Sequence, residues 1–141
     1  DGELIVPQTR ERIYWEYPSK TLTGITGITG AAKTIKDPIV DKIALESVTA
    51  IDDNPNGIFS VDMTYDGNGV PNPTEINIGK FFTTHYFFAR AGLNFPEIYV
   101  KLAFDEPVDK LGINPLKPGF VWIRGVDSEP VLTTVKKVGL D

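Results

Sequence analysis

The sequence predicts an α+β fold, with a mostly antiparallel sheet and helices packed on one face. Three observations carry that expectation. Extended segments come in pairs around short turns, as with "GIFSVDMTY" and "PTEINI" on either side of "DGNGV". Two stretches carry helix start signals with a proline at or near the first helical position. Strands and helices do not alternate strictly, which disfavours a parallel βαβ arrangement. The 141 residues make a single domain, 1–141, long enough to bury roughly two thirds of its unfolded surface.

Residues 4–6 and 11–17 are expected to be strands. The second alternates, with Ile13, Trp15 and Tyr17 on one face and Arg12, Tyr14 and Glu16 on the other. "SKTLTGITGITGAAKT" has the composition of a Gly/Thr-rich loop. "DPIVDKIALESVTAIDD" predicts a helix capped by Asp37, with Pro38 at its first position. Ile39, Ile43, Val48 and Ile51 supply its apolar stripe, and "NPNG" ends it. "KFFTTHYFFARAG" predicts a second helix stopped by Gly92 and Asn94, and Pro96 opens a third, "PEIYVKLAFD". The tail, "PGFVWIRGVDSEPVLTTVKKV", predicts two short strands around a Val-Asp-Ser-Glu-Pro turn.

Composition narrows the function classes. A net charge of −5 argues against generic nucleic-acid binding, which needs a basic footprint. The chain has no cysteine, so a disulfide framework and a thiolate zinc site are both excluded, and a cytoplasmic setting fits. No apolar run approaches the ~20 residues of a membrane span, so no membrane partner is expected. The chain opens on Asp1-Gly2, a turn dipeptide, without Met. That suggests either trimming or a strand before Asp1 in a longer protein.

The stretch "NPTEINIGKFFTT" places Glu75 and Asn77 where a strand would otherwise be apolar. With the turn at residues 67–70, Asp62 falls opposite Glu75, Met63 opposite Thr74 and Ser60 opposite Asn77. One face of this hairpin then carries Ser60, Asp62, Thr64, Glu75 and Asn77, and the other Phe59, Val61, Met63, Ile76 and Ile78. Carboxylates directly opposite one another repel, so a positive group is expected to offset them. Asn77 lies roughly 6.5 Å beyond Glu75 on the same face. Two carboxylates and an amide carbonyl are hard oxygen donors, suited to Mg²⁺ or Mn²⁺ held together with substrate phosphates. Two metal ions about 3.5–4 Å apart could share them and bridge a polyphosphate. The alternative is the wet side of an antiparallel sheet, and a one-residue slip would undo the pairing.

"FSVDM", then "DGNGVPNPTEIN", then "GKFFTTHYFFARAGLNFPEIYVKLAF" resembles the C-terminal half of an ATP-grasp domain. The nearest likeness is to carbamoyl-phosphate synthase large subunits, over residues 1 to about 107; it does not extend over the tail from Val108. The resemblance implies that Asp62, Glu75 and Asn77 hold Mg²⁺ against the phosphates of ATP. It implies an acyl phosphate, formed from a small carboxylate or bicarbonate and then attacked by an amine or ammonia. Many members place an arginine two residues after the asparagine. Here that position is Gly79, and Lys80 follows as a point charge without the bidentate fork of arginine. Arg10 and Arg12 of "TRER" are placed to reach phosphate or a carboxylate, or else are edge-strand charges. The family's ATP-binding lysines and glycine-rich flap would lie before Asp1, so the chain is expected to be part of a ligase that alone is inactive. The rival expectation is a non-catalytic α+β binding or interaction module. Unpaired sheet edges are sticky, so self-association into a homo-oligomer is expected, through residues 4–17 or the sheet edge.

Other motifs weigh less. "GAAKT" misses the phosphate-loop pattern because Ala32 stands where glycine is needed and Pro38 interrupts the following helix. Asp62, Thr64 and Asp66 fail as a calcium loop because Pro73 occupies the closing position. His85, the only histidine, is expected as a packed ring among Phe81, Phe82, Tyr86 and Phe87. Trp15 and Trp122 are expected in the core or at subunit contacts.

Overall fold

The computed structural model describes residues 2–21, 24–125 and 128–139. Asp1, and Val126 and Asp127 of the tail turn, lie outside the described residues. In chain order the elements are β1 (Arg10–Thr21), β2 (Gly24–Thr34), α1 (Pro38–Ile51), β3 (Phe59–Tyr65), β4 (Pro71–Ile78), α2 (His85–Arg90), α3 (Phe95–Ala103), β5 (Phe120–Ile123), β6 (Val131–Thr134) and α4 (Val135–Val138). All described strand pairs are antiparallel, and the fold is α+β. The strands form two sheets rather than one: β1-β2-β5-β6, with β1 at one edge, and the separate hairpin β3-β4.

Within the Gly/Thr-rich stretch, Leu22 and Thr23 lie outside the described residues, but from Gly24 to Thr34 it is a strand, contrary to the expected loop. β2 pairs along β1 on one side and with β5 on the other. Its small residues make that possible. A Cβ on Gly30 would stand 2.6 Å from the Tyr14 ring and 3.1 Å from Glu16 Cγ. Thr29 and Thr34 are buried, and the Thr34 hydroxyl donates to the Lys117 carbonyl (2.6 Å) while accepting from the Phe120 N–H (3.0 Å). The tail that the resemblance did not reach is thereby built into the larger sheet through β5 and β6.

β1 does not keep the expected two faces. Register shifts fall between Arg12 and Tyr14, between Tyr14 and Trp15, and between Glu16 and Ser19. Ile13 and Trp15 are half-buried, but Tyr17, at φ 50°, is exposed. Residues 4–6 are not a strand. Pro7 has no N–H for a ladder, and the segment is a strap fastened from outside. The Asn114 N–H donates to the Pro7 carbonyl at 3.0 Å, and the Leu116 N–H to Gln8 Oε1 at 3.0 Å.

α1 begins as expected: Asp37 Oδ1 accepts from the Ile39 and Val40 N–H groups at 3.0 and 3.3 Å. The helix packs on the β3/β4 hairpin. α2 is shorter than expected, because residues 80–84 stay outside it. Thr83 and Thr84 are weak helix formers, and Phe82 turns inward to meet Phe88 and Phe95 edge-on, with centroids 5.1 and 6.3 Å away. His85 is packed as expected, 5.5 Å from the Phe81 ring centroid, with Nδ1 3.0 Å from the Phe82 carbonyl. Asn94 caps α3 by accepting from the Glu97 N–H at 3.3 Å.

The core lies where α2 covers the larger sheet: Ala32, Phe87, Phe88, Leu93, Leu116 and Trp122. Phe87 stacks on Trp122 with centroids 5.7 Å apart and planes 14° from parallel. Among the described residues no helix is long and apolar enough to cross a membrane.

Candidate functional site

The β3/β4 ladder pairs Phe59 with Ile78, Ser60 with Asn77, Val61 with Ile76 and Asp62 with Glu75. These are the pairings the sequence predicts. Beyond Asp62 the register shifts by one, so Met63 faces Pro73 rather than Thr74 and Thr64 faces Asn72. Pro73 lacks the N–H that a continued ladder needs, and prolines inside sheets sit at such irregularities. The Thr74 hydroxyl instead donates to the Asp62 carbonyl at 3.1 Å. The turn tightens accordingly: the Asp66 N–H donates to the Val70 carbonyl at 2.9 Å. Asp66 Oδ1 accepts from the Asn68 and Val70 N–H groups. Because the shift lies on the turn side of Asp62, alternation keeps Ser60, Asp62, Glu75 and Asn77 on one face.

That face is not simply a wet one. Arg12 Nη2 donates to Asp62 Oδ1 at 2.7 Å, and the two side chains are only 28% and 30% exposed. Arg12 is the positive group that the opposed carboxylates call for. Its neighbour Arg10, two residues earlier and on the same face of β1, holds its guanidinium carbon 5.3 Å from the Phe82 ring centroid. Partial loss of water, reinforced by repulsion from Arg12 and opposed by the Asp62 charge, pushes the Arg10 pKa below its ordinary value, to about 10. Among the described residues, Arg10 forms no ion pair.

The six residues singled out from the sequence therefore divide. Asp62, Glu75 and Asn77 share a hairpin face, and Arg12 joins them through Asp62, with Arg10 alongside. Glu75 is exposed and Asn77 half-buried. Lys80 stands apart, exposed just past the end of β4, where Gly79 turns the chain at φ 74°. The donor chemistry fits a hard divalent cation: Asp62 keeps Oδ2 beside the Oδ1 that Arg12 takes, and Glu75 and Asn77 add carboxylate and amide oxygens. Among the described residues no group of three His, Asp or Glu side chains is arranged to hold a metal.

Two features were missed in the sequence. One is Phe82 beneath Arg10. The other is a polar network that ties α1 to the strap and the tail. Asp41 accepts from the Thr9 hydroxyl (2.6 Å) and from Asn114 Nδ2 (2.7 Å), while Asn114 Oδ1 accepts from the Thr9 N–H (2.6 Å). Asn114 is 2% exposed and sits at φ 51°, in the left-handed region that asparagine tolerates. Its position directly before Pro115 was the available signal. The residues of "GAAKT" serve the sheet, with Lys33 Nζ 3.2 Å from Glu11 Oε2. Two surface clefts of about 320 Å³ each lie elsewhere; neither is lined by Asp62, Glu75 or Asn77.

Comparison with protein-family models, with curated proteins and with solved structures found no match in any of the three.

Proposed function

We propose that this chain carries the metal- and phosphate-facing C-terminal half of an ATP-dependent ligase of the ATP-grasp type, similar to the carbamoyl-phosphate synthase large subunit. A small carboxylate or bicarbonate attacks the γ-phosphate of ATP, ADP leaves, and an amine or ammonia then displaces phosphate from the acyl phosphate. The observation supporting this reading is the register that sets Asp62 against Glu75 with Asn77 next on the same face. Asp62, Glu75 and Asn77 would hold Mg²⁺ or Mn²⁺ through oxygen. The bound cation would neutralise phosphate charge. Arg10, Arg12 and Lys80 would bind and orient phosphate or carboxylate oxygens, the arginines through their forks and Lys80 as a point charge. Chemistry of this kind rests on positioning and electrostatics.

One observation favours a second reading. Arg12 already compensates Asp62, so a non-catalytic binding or interaction module with this fold needs no cation there. Calorimetric titration of Mg·ATP into wild type and Glu75→Ala separates the two. The ligase reading expects a binding heat that Glu75→Ala loses or sharply weakens. Equal responses from the two proteins would establish the module.

A further inference from the structure

We propose that Asp62 gates an oxyanion site formed by the Arg10 and Arg12 guanidinium groups, and that the ligand is a phosphate group. Arg10 is half-buried, its guanidinium over the Phe82 ring, with no carboxylate paired to it among the described residues. A cation in those surroundings is stabilised by an incoming anion. Arg12 lies on the same face of β1, one strand repeat or roughly 6.5 Å away. A tetrahedral dianion can accept from both forks, whereas a planar monocarboxylate is satisfied by one. Part of the Arg12 fork is taken, however: its Nη2 is bonded to Asp62 Oδ1 at 2.7 Å. The site is therefore half closed while Asp62 holds Arg12.

Whatever engages the Asp62 carboxylate competes with Arg12 and frees it. A divalent cation on Asp62, Glu75 and Asn77 would do so. Cation and phosphate would then strengthen each other's binding, and by linkage the coupling is reciprocal. The cation half of this device rests on the ligase reading; the arginine pair and its closure by Asp62 do not.

The test measures inorganic phosphate binding by calorimetry in metal-free buffer. Asp62→Asn removes the charge that holds Arg12, so phosphate should bind about tenfold more tightly than to wild type. The Asp62→Asn/Arg12→Ala double variant should lose that gain. In wild type, Mg²⁺ should tighten phosphate binding, and in Asp62→Asn it should add nothing. An unchanged or weaker affinity in Asp62→Asn overturns the gate. So does a gain that survives in the double variant, because it would be mere loss of a negative charge. If Asp62→Asn does not keep the native circular dichroism, Asp62→Ser carries the same test. An Asp62→Asn gain in a protein indifferent to Mg²⁺ would leave the gate standing and count against the ligase reading. Mg²⁺ binding without that gain would do the reverse.

Discussion

Around Trp122, six side chains shut out water: Ala32, Phe87, Phe88, Leu93, Leu116 and Trp122 itself. Around α1, no residue of the helix is buried; Ile39 remains 61% exposed and Ile51 54%. The first region is held by ring packing and apolar area, which are non-directional. The second combines half-buried apolar contact between α1 and the hairpin with directional polar ties: Arg12 to Asp62, Thr9 and Asn114 to Asp41, and the Tyr65 hydroxyl to Asp37 Oδ2 at 3.0 Å. All the candidate ligands from the hairpin belong to the second region. A ligand that competes for a carboxylate can rearrange polar ties, but has no purchase on a packed ring cluster.

Phe87→Ala should break the first region at a cost of about 3–5 kcal/mol, read as a lower denaturant midpoint. Ile39→Ala, on the open face of α1, should cost less than about 0.5 kcal/mol in the same assay. Similar losses from the two would erase the contrast. Asn114→Ala tests the seam between the regions. It leaves the Thr9 N–H and one Asp41 oxygen without their described partner, and should cost about 2–3 kcal/mol. A near-neutral result would show that the network is not what docks α1.

Asp37→Ala probes a single tie within the weaker region. The loss of an N-cap should cost about 1 kcal/mol. Partial loss of water raises the Asp37 pKa, but hydrogen bonds from the Val40 N–H, the Tyr65 hydroxyl and the Ile39 N–H outweigh it and hold the group below its ordinary 3.8. A depressed carboxylate stabilises the fold above its unfolded value, and that contribution is lost as pH falls through the folded value. The stability gap between wild type and Asp37→Ala should thus be full near neutral pH and close below about 3.8. A gap that persists in acid would assign the effect to something other than the charged cap.

Much of the weaker region was legible in advance. The Asp37 cap, the proline after it and the first pairings of the β3/β4 hairpin all arise from signals a few residues long. Asn94, expected as the stop of the second helix, instead caps the start of α3. The hairpin register failed only past Asp62, where Pro73 shortened the turn by one position. The stronger region was less legible. β2 has loop composition, and it is a strand because Tyr14 fills the space over Gly30 and because Thr34 finds partners at Lys117 and Phe120. Residues 80–84 look helical, yet Phe82 gains more by packing on Phe88 and Phe95.

Local chemistry in the chain therefore determined where α1 and α3 begin, which carboxylates oppose one another on the hairpin, and that the strands are antiparallel. Tertiary structure alone decided that two sheets form, that β5 closes on β2, and that Arg12 meets Asp62 across 50 positions and Asn114 meets Asp41 across 73. Caps, turns and alternation act through atoms a few bonds apart, so the sequence displays them. A partner fifty residues away is chosen by the path of the folded backbone and by which charges the fold removes from water.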